Sequence, residues 1–267
     1  MTLATSATKK TLIMGVVNIT PDSFSDGGKF FSPGSALAKI EQLVDQGADI
    51  VDLGAESSRP GAERVGVEEE WSRLEPVLKE LDQRFPTTSF SLDTYKPEVM
   101  RRALDYPIAI VNDIRGGTDI STLEKLARRG CVYLAMHMHR DPQTMQSEPL
   151  DAPEALEEVG RFYTSTFEKL REIGFDSEKI WLDPGIGFGK TDRANLQLIR
   201  QALEKSQEFN LVLGVSRKSF LGRLLGIPEP EERDAPSKML ELSFLINGVK
   251  AIRTHDVRRL KHLRDLL

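Results

Sequence analysis

The chain has 267 residues, 39% of them hydrophobic and 29% charged, with a net charge of −5 and a single cysteine, Cys131. That length suits one large domain, and the negative balance excludes a broad positive field for nucleic acid or an anionic membrane, so any anion must be held by a local cluster of Arg, Lys and backbone N–H groups. One cysteine cannot form an internal disulfide, "MTLATSATKK" lacks the apolar core of a secretory signal, and no run approaches membrane-spanning length, so the expected compartment is the reducing cytoplasm.

The first predicted strand, "TLIMGVV", runs directly into "NITPDSFSDGG", a polar segment suited to neither strand nor helix. "SALAKIEQLVDQG" then spaces its apolar residues at three and four and stops at Gly47, as an amphipathic helix does. "ADIVDLG" follows as a strand. "VEEEWSRLEPVLKELDQRF" follows as a helix whose first-turn acids suit the helix dipole and read as a solvated start. The alternation continues through "TSFSLD", "IAIVND", "CVYLAMH", "KIWLDPG", "LVLGVS" and "KAIRTH", with helices expected at 97–104, 119–129, 153–173, 191–207, 234–247 and 256–266. Short runs that are apolar on both faces are what parallel strands need beneath crossover helices. Eight such βα units predict an α/β protein, a single-domain (β/α)8 TIM barrel over residues 1–267, although an open doubly wound sheet uses the same alternation.

In a barrel the carboxyl ends of the strands share one face, where active sites of this fold lie. Polar residues stand at those ends: Asn18, Asp52, Glu56, Asp93, Asn112, His137, Asp183, Ser216, Lys218, Arg253 and His255. Asp93 in "SLDTYKP" and Asn112 in "IVNDIRGG" read equally well as caps of the helices that follow. In "WLDPGIGFGK", Asp183 closes a strand, Pro184 stops pairing, and three glycines, more than one tight turn needs, admit backbone close to a ligand. Together Asp93, Asn112 and Asp183 could pair with the donor edge of a flat heterocycle. Arg217 and Lys218 in "GVSRKSFLG" read either as solvated charges or as an anion site at the opening of a helix. Arg253 and His255 in "AIRTHDV" lie on one side of an extended chain, either as a packed ion pair and histidine or as a phosphate site after the last strand. His137 and His139 in "AMHMHRD" have metal-ligand spacing, but no Cys or further carboxylate stands near enough in sequence to complete a zinc site.

In this order the motifs resemble the dihydropteroate synthase family, over nearly the whole chain: "MGVVNITPDSFSDGG", "GADIVDLGAESSRPGA", "SLDTYKPEV", "VNDIRGG", "LDPGIGFGK", "SRKSFLG" and "RTHDV". The resemblance implies a transferase of folate biosynthesis and a sulfonamide target. Such an enzyme joins p-aminobenzoate to 7,8-dihydropterin-6-ylmethyl diphosphate with the help of Mg²⁺, releases diphosphate, and is usually a homodimer. It implies that Asp93, Asn112, Asp183 and Lys218 surround the pterin, that Asn18 coordinates Mg²⁺, and that Arg253 and His255 hold the diphosphate. Phe24, Ser58, Pro60, Phe188 and Ser219 would bind the aminobenzoate. Asp26 would meet Arg59 over the diphosphate, so that the first loop closes as a lid hinged at Gly27 and Gly28 and joins Asp183 and Lys218 in the catalytic set. Small-molecule substrates are the implied partners, with no nucleic acid and no membrane.

The chain departs from the family pattern where "GAESS" replaces the usual "GGEST", through Ala55 and Ser58, and where Arg140 stands in place of a common Gly. Those positions bear on loop geometry and on aminobenzoate or drug affinity. Two other readings use a comparable pterin pocket: a methyltetrahydrofolate-dependent methyltransferase barrel, and a pterin-binding relative without turnover. A methyl donor has no diphosphate to hold, so "SRKS", "RTHDV" and the first loop favour the synthase.

Overall fold

Eight buried parallel strands close on themselves: β1 (Leu12–Asn18), β2 (Ile50–Gly54), β3 (Ser89–Asp93), β4 (Ile108–Asp113), β5 (Val132–Met136), β6 (Ile180–Asp183), β7 (Asn210–Leu213) and β8 (Ala251–Thr254). The computed structural model describes residues 10–20, 33–57, 64–117, 119–140, 144, 145 and 147–267. Each strand pairs in parallel with the next, and β8 returns to β1 with Leu12 opposite Ala251. Closure decides between the two folds that share this alternation. It also leaves no sheet edge exposed among the described residues.

Side chains alternate across a strand, so the barrel has two apolar layers. Met14, Ile50, Ile110, Val132, Leu134, Trp181, Val212 and Ala251 pack together inside it. Their neighbours Val51, Leu53, Phe90, Val111, Tyr133, Leu182 and Ile252 point outward into the larger core beneath the helices. Two residues further along the same inward rows stand Asp52, Asn112, Asp183 and Arg253. The period of two therefore converts an apolar floor into a polar mouth.

The helices are α1 (Pro33–Asp45), α2 (Val67–Arg84), α3 (Pro97–Ala103), α4 (Ile120–Arg129), α5 (Ala152–Ile173), α6 (Asp192–Lys205), α7 (Ser219–Leu225), α8 (Asp234–Ile246) and α9 (Val257–Asp265). Among the described residues the seventh unit carries two of them. Gly226 ends α7 in the left-handed region, and Pro228 and Pro230 then prevent its continuation before a 3₁₀ turn at Glu231–Arg233 leads into α8. The first turn of α2 is not solvated throughout, contrary to its sequence. Glu70 is wholly buried and pairs with Lys96, a partner 26 positions along the chain that no local pattern reveals. No helix among the described residues is long and apolar enough to cross a membrane.

Candidate active site

The centre of the mouth is an ion network. Asp52, fully buried, accepts from Asn112 Nδ2 at 3.2 Å and from Arg253 Nε at 2.7 Å through the same Oδ2. Arg253 Nη2 also donates to Asp93 Oδ2 at 2.9 Å, so one guanidinium bridges two carboxylates from different strands. A buried carboxylate needs such a partner, because removing its water is costly. Asp52 Oδ1 nonetheless lacks a hydrogen-bond partner among the described residues. Burial and the neighbouring Asp52 charge push the Asp93 carboxyl up to about 7, against the opposite pull of Arg253.

Asp183 ends β6 almost without exposure, and its Oδ1 accepts from Gly185 N at 2.6 Å. Burial raises its carboxyl, while the Lys218 ammonium and the Gly185 bond work the other way. The glycines after it have a steric reason. A Cβ on Gly185 would lie 1.8 Å from His137 O, and one on Gly189 would lie 2.6 Å from His139 O, so this segment presses against the end of β5 as no other residue could.

Beneath the segment lies Lys190, which the sequence reading did not single out. Its wholly buried Nζ donates to Phe188 O at 2.9 Å, Gly185 O at 3.0 Å and His137 O at 3.4 Å. Burial lowers its ammonium to about 7, against the pull of Asp183. Asn195, on α6, accepts from Gly187 N at 2.7 Å and donates to Lys190 O at 3.3 Å. The glycine segment is thus tied at several carbonyls and amides. A lysine following "GIGFG" was the available signal, but an isolated lysine ordinarily reads as surface.

Lys218 precedes α7, donates to Ile186 O, and places its ammonium 4.9 Å from the centre of the half-buried Phe188 ring. Burial lowers it to about 8, with Asp183 opposing and Arg253 reinforcing the shift. His255 is oriented by Ser216, whose Oγ accepts from His255 N at 3.2 Å and lies 3.1 Å from Nδ1. Asn18 stands half-buried at the end of β1, opposite Gly54, and Ser219 is exposed at the first position of α7. Of the adjacent pair in "SRKS", only Lys218 turns inward, since Arg217 pairs with Asp234. Phe24, Asp26, Gly27, Gly28, Ser58, Arg59 and Pro60, and with them the lid reading, lie outside the described residues.

His137 and His139 both approach one carboxylate, Glu158 Oε1, at 2.9 and 3.6 Å. Burial lowers the His137 imidazole to about 4, which keeps it neutral near pH 7. Among the described residues no three His, Cys, Asp or Glu side chains gather as metal ligands.

The mouth therefore offers carboxylate and amide acceptors at its base, an ammonium against an aromatic ring on one side, and an oriented imidazole on another. Residues 14–255 match the family described as "Pterin binding enzyme". The chain is 39% identical over 257 residues to the dihydropteroate synthase of Synechocystis sp., an alignment covering 96% of this chain and 88% of that protein. The Yersinia pestis dihydropteroate synthase, solved as a sulfonamide drug complex, superposes with a TM-score of 0.87 at 35% identity, covering 96% of this chain and 93% of that one. The Xanthomonas albilineans dihydropteroate synthase solved with 4-aminobenzoic acid gives 0.87 at 34% identity, covering 96% and 92%. The chain belongs to the dihydropteroate synthase family of pterin-binding enzymes.

Proposed function

We propose that this enzyme condenses p-aminobenzoate with 7,8-dihydropterin-6-ylmethyl diphosphate, giving 7,8-dihydropteroate and diphosphate. The observation that carries the reading is the cluster of Asp93, Asn112, Asp183, Lys218 and Arg253 on one barrel face, in which Asp52 joins Asn112 to Arg253 and Arg253 reaches Asp93. A pterin ring presents N–H donors along one edge, and Asp93, Asn112 and Asp183 supply acceptors to meet them. Lys218 donates to a ring acceptor. Arg253 offsets the carboxylate charge at the base and, with His255, takes the diphosphate end.

When the C–O bond to diphosphate breaks, positive charge grows on the pterin methylene and negative charge on the leaving group. Asp183 favours the first, and Arg253 and His255 favour the second, in a mouth that excludes much of the water. The neutral aromatic amine attacks carbon, so no covalent nucleophile is needed. Phe188 and Ser219 bind the aminobenzoate, a role the family resemblance also gives to Phe24, Ser58 and Pro60, as it gives Asp26 and Arg59 a part in the catalytic set. Mg²⁺ fits the donor available: Asn18 is one neutral oxygen ligand at the rim, which suits a cation that takes its other ligands from water and substrate phosphate. Bound there, it would neutralise diphosphate charge.

The same reading makes the chain a cytoplasmic sulfonamide target that pairs with a second copy. Leu224 and Leu225 on α7 and Met239 and Ile246 on α8 are 46–76% exposed, apolar side chains that pairing would cover. Incubation with both substrates and measurement of diphosphate tests the activity. Pterin binding without diphosphate release would identify a relative without turnover, and methyl transfer from methyltetrahydrofolate would identify the other barrel enzyme.

A further inference from the structure

We infer that Arg217 is a positioning residue: a clamp formed by Asp234, Ser237 and Arg233 holds it in a left-handed turn that aims Ser216 and Lys218 into the active site. Arg217 has φ +60°, a conformation that side chains with a Cβ adopt rarely and at a cost. Such a turn persists only where its surroundings impose it. Here they bind the backbone on both sides of the residue. Arg217 N donates to Ser237 Oγ at 3.1 Å, and Arg217 O accepts from Arg233 Nη1 at 3.1 Å. The guanidinium meets Asp234 as a fork, Nε to Oδ1 at 2.7 Å and Nη2 to Oδ2 at 2.9 Å.

The clamp is itself braced. Arg233, nearly buried, donates from Nε to Ile227 O at 2.9 Å and from Nη2 to Pro228 O, and its own carbonyl accepts from Ser237 Oγ at 2.7 Å. Gly222 on α7 leaves the space: a Cβ there would come within 2.7 Å of Arg233 Nε. Lys218 N donates to Val215 O at 3.2 Å, closing the chain around Ser216 and Arg217. The turn sends one side chain out to α8 and its two neighbours in, Ser216 to His255 and Lys218 to Ile186 O beside Phe188. Arg217 therefore acts on the reaction through those neighbours and not as a ligand of either substrate.

The roles of Ser216 and Lys218 rest on the synthase reading, so the test measures pterin affinity as well as turnover. Arg217→Ala, Asp234→Ala, the double variant and Arg217→Gly are compared by calorimetry with a 6-hydroxymethylpterin and by steady-state kinetics, with Tm recorded for each. We expect Arg217→Ala and Asp234→Ala each to weaken pterin binding and kcat/KM by about 10–100-fold, the scale of an ångström-level misplacement. The double variant should be no worse than the poorer single, as for two members of one unit. Arg217→Gly, which enters the left-handed region freely, should recover part of the loss, with a Tm at or above that of Arg217→Ala. Full affinity and turnover in Asp234→Ala, with loss in Arg217→Ala and Arg217→Gly alike, would make Arg217 a direct ligand and overturn the inference. So would a fall in Tm alone, with pterin affinity of the folded protein unchanged. Absence of diphosphate release by the wild-type protein would instead refute the synthase reading, leaving the affinity pattern to decide the clamp.

Discussion

Asp183 and Lys218 influence each other electrostatically at the barrel mouth, with their charges made costly by burial, and under the proposed reaction each shift has a kinetic consequence. Asp183→Asn keeps the shape and removes the charge proposed to favour the cationic methylene, so turnover should fall about 10²–10³-fold. Its Tm should change little, because an amide oxygen can still accept from Gly185 N. Near-normal single-turnover rates in this variant would place the stabilising charge elsewhere. Lys218, lowered to about 8, is charged below that pH and neutral above it. If the ammonium binds the pterin, kcat/KM for the pterin diphosphate should decline as pH rises through 8. Lys218→Arg, charged throughout, should lose that alkaline limb even if it is slower overall. A limb that persists in Lys218→Arg would belong to another group. At this scale the sequence was readable for Asn112 and Asp183, which stand where an apolar run ends. It was less so for Asp52, whose part in the site depends on an arginine 201 positions away.

The β6–α6 connection shows how an element is made to hold a site. Gly185 and Gly189 let it lie against the end of β5, and Lys190 and Asn195 then tie it. Lys190→Met fills a similar volume but leaves the carbonyls of Gly185 and Phe188 without their donor, at about 1–3 kcal/mol. Turnover should fall with it, since Asp183 adjoins the tied segment and Phe188 lies in it. The pH dependence has a definite sign. A lysine lowered to about 7 in the fold binds fewer protons than in the unfolded chain at any pH between 7 and its usual 10.5, so its contribution to stability increases as pH rises through that window. The deficit of Lys190→Met relative to wild type should therefore be larger at pH 9 than at pH 7, as read from urea unfolding. A deficit that stays the same between pH 7 and pH 9 would mean the ammonium is held charged. Elements with strong local patterns, such as α1 and α6, were legible in the sequence. The division of the seventh unit into α7 and α8 was only half legible, because the sequence marks the opening of the first helix but does not show the clamp that joins the two.

Across the whole molecule, chemistry and closure occupy opposite ends of the barrel. At the amino ends of the strands, Arg264 of α9 donates to Thr11 O at 2.9 Å and pairs with Asp49, which in turn accepts from Ile13 N at 2.7 Å. The last helix thereby fastens the entrance of the first strand, and β8 completes the ring beside it. Arg264→Ala removes the nearly buried partner of the half-buried Asp49 and the donor to Thr11 O, and should destabilise by about 1–3 kcal/mol. Because the site lies at the carboxyl ends, kcat and both KM values should stay within about twofold at a temperature where the variant is folded. A large change in KM with little loss of stability would show that the two ends are not independent.

What the sequence determined by itself is what repeats locally: eight apolar runs alternating with helical periods, and polar residues placed where each run stops. Period-two alternation and helix periodicity are short-range properties, so they survive without knowledge of contacts. Tertiary structure alone decided that the sheet closes, that Glu70 is buried on Lys96, and that Arg253 serves two carboxylates. It also decided that Lys190 lies beneath the glycines and that Arg217 faces α8 while Lys218 faces the pocket. Closure apart, each of these depends on which distant polar or charged group is close enough to repay the loss of water around a buried one, and that distance exists only once the barrel has formed.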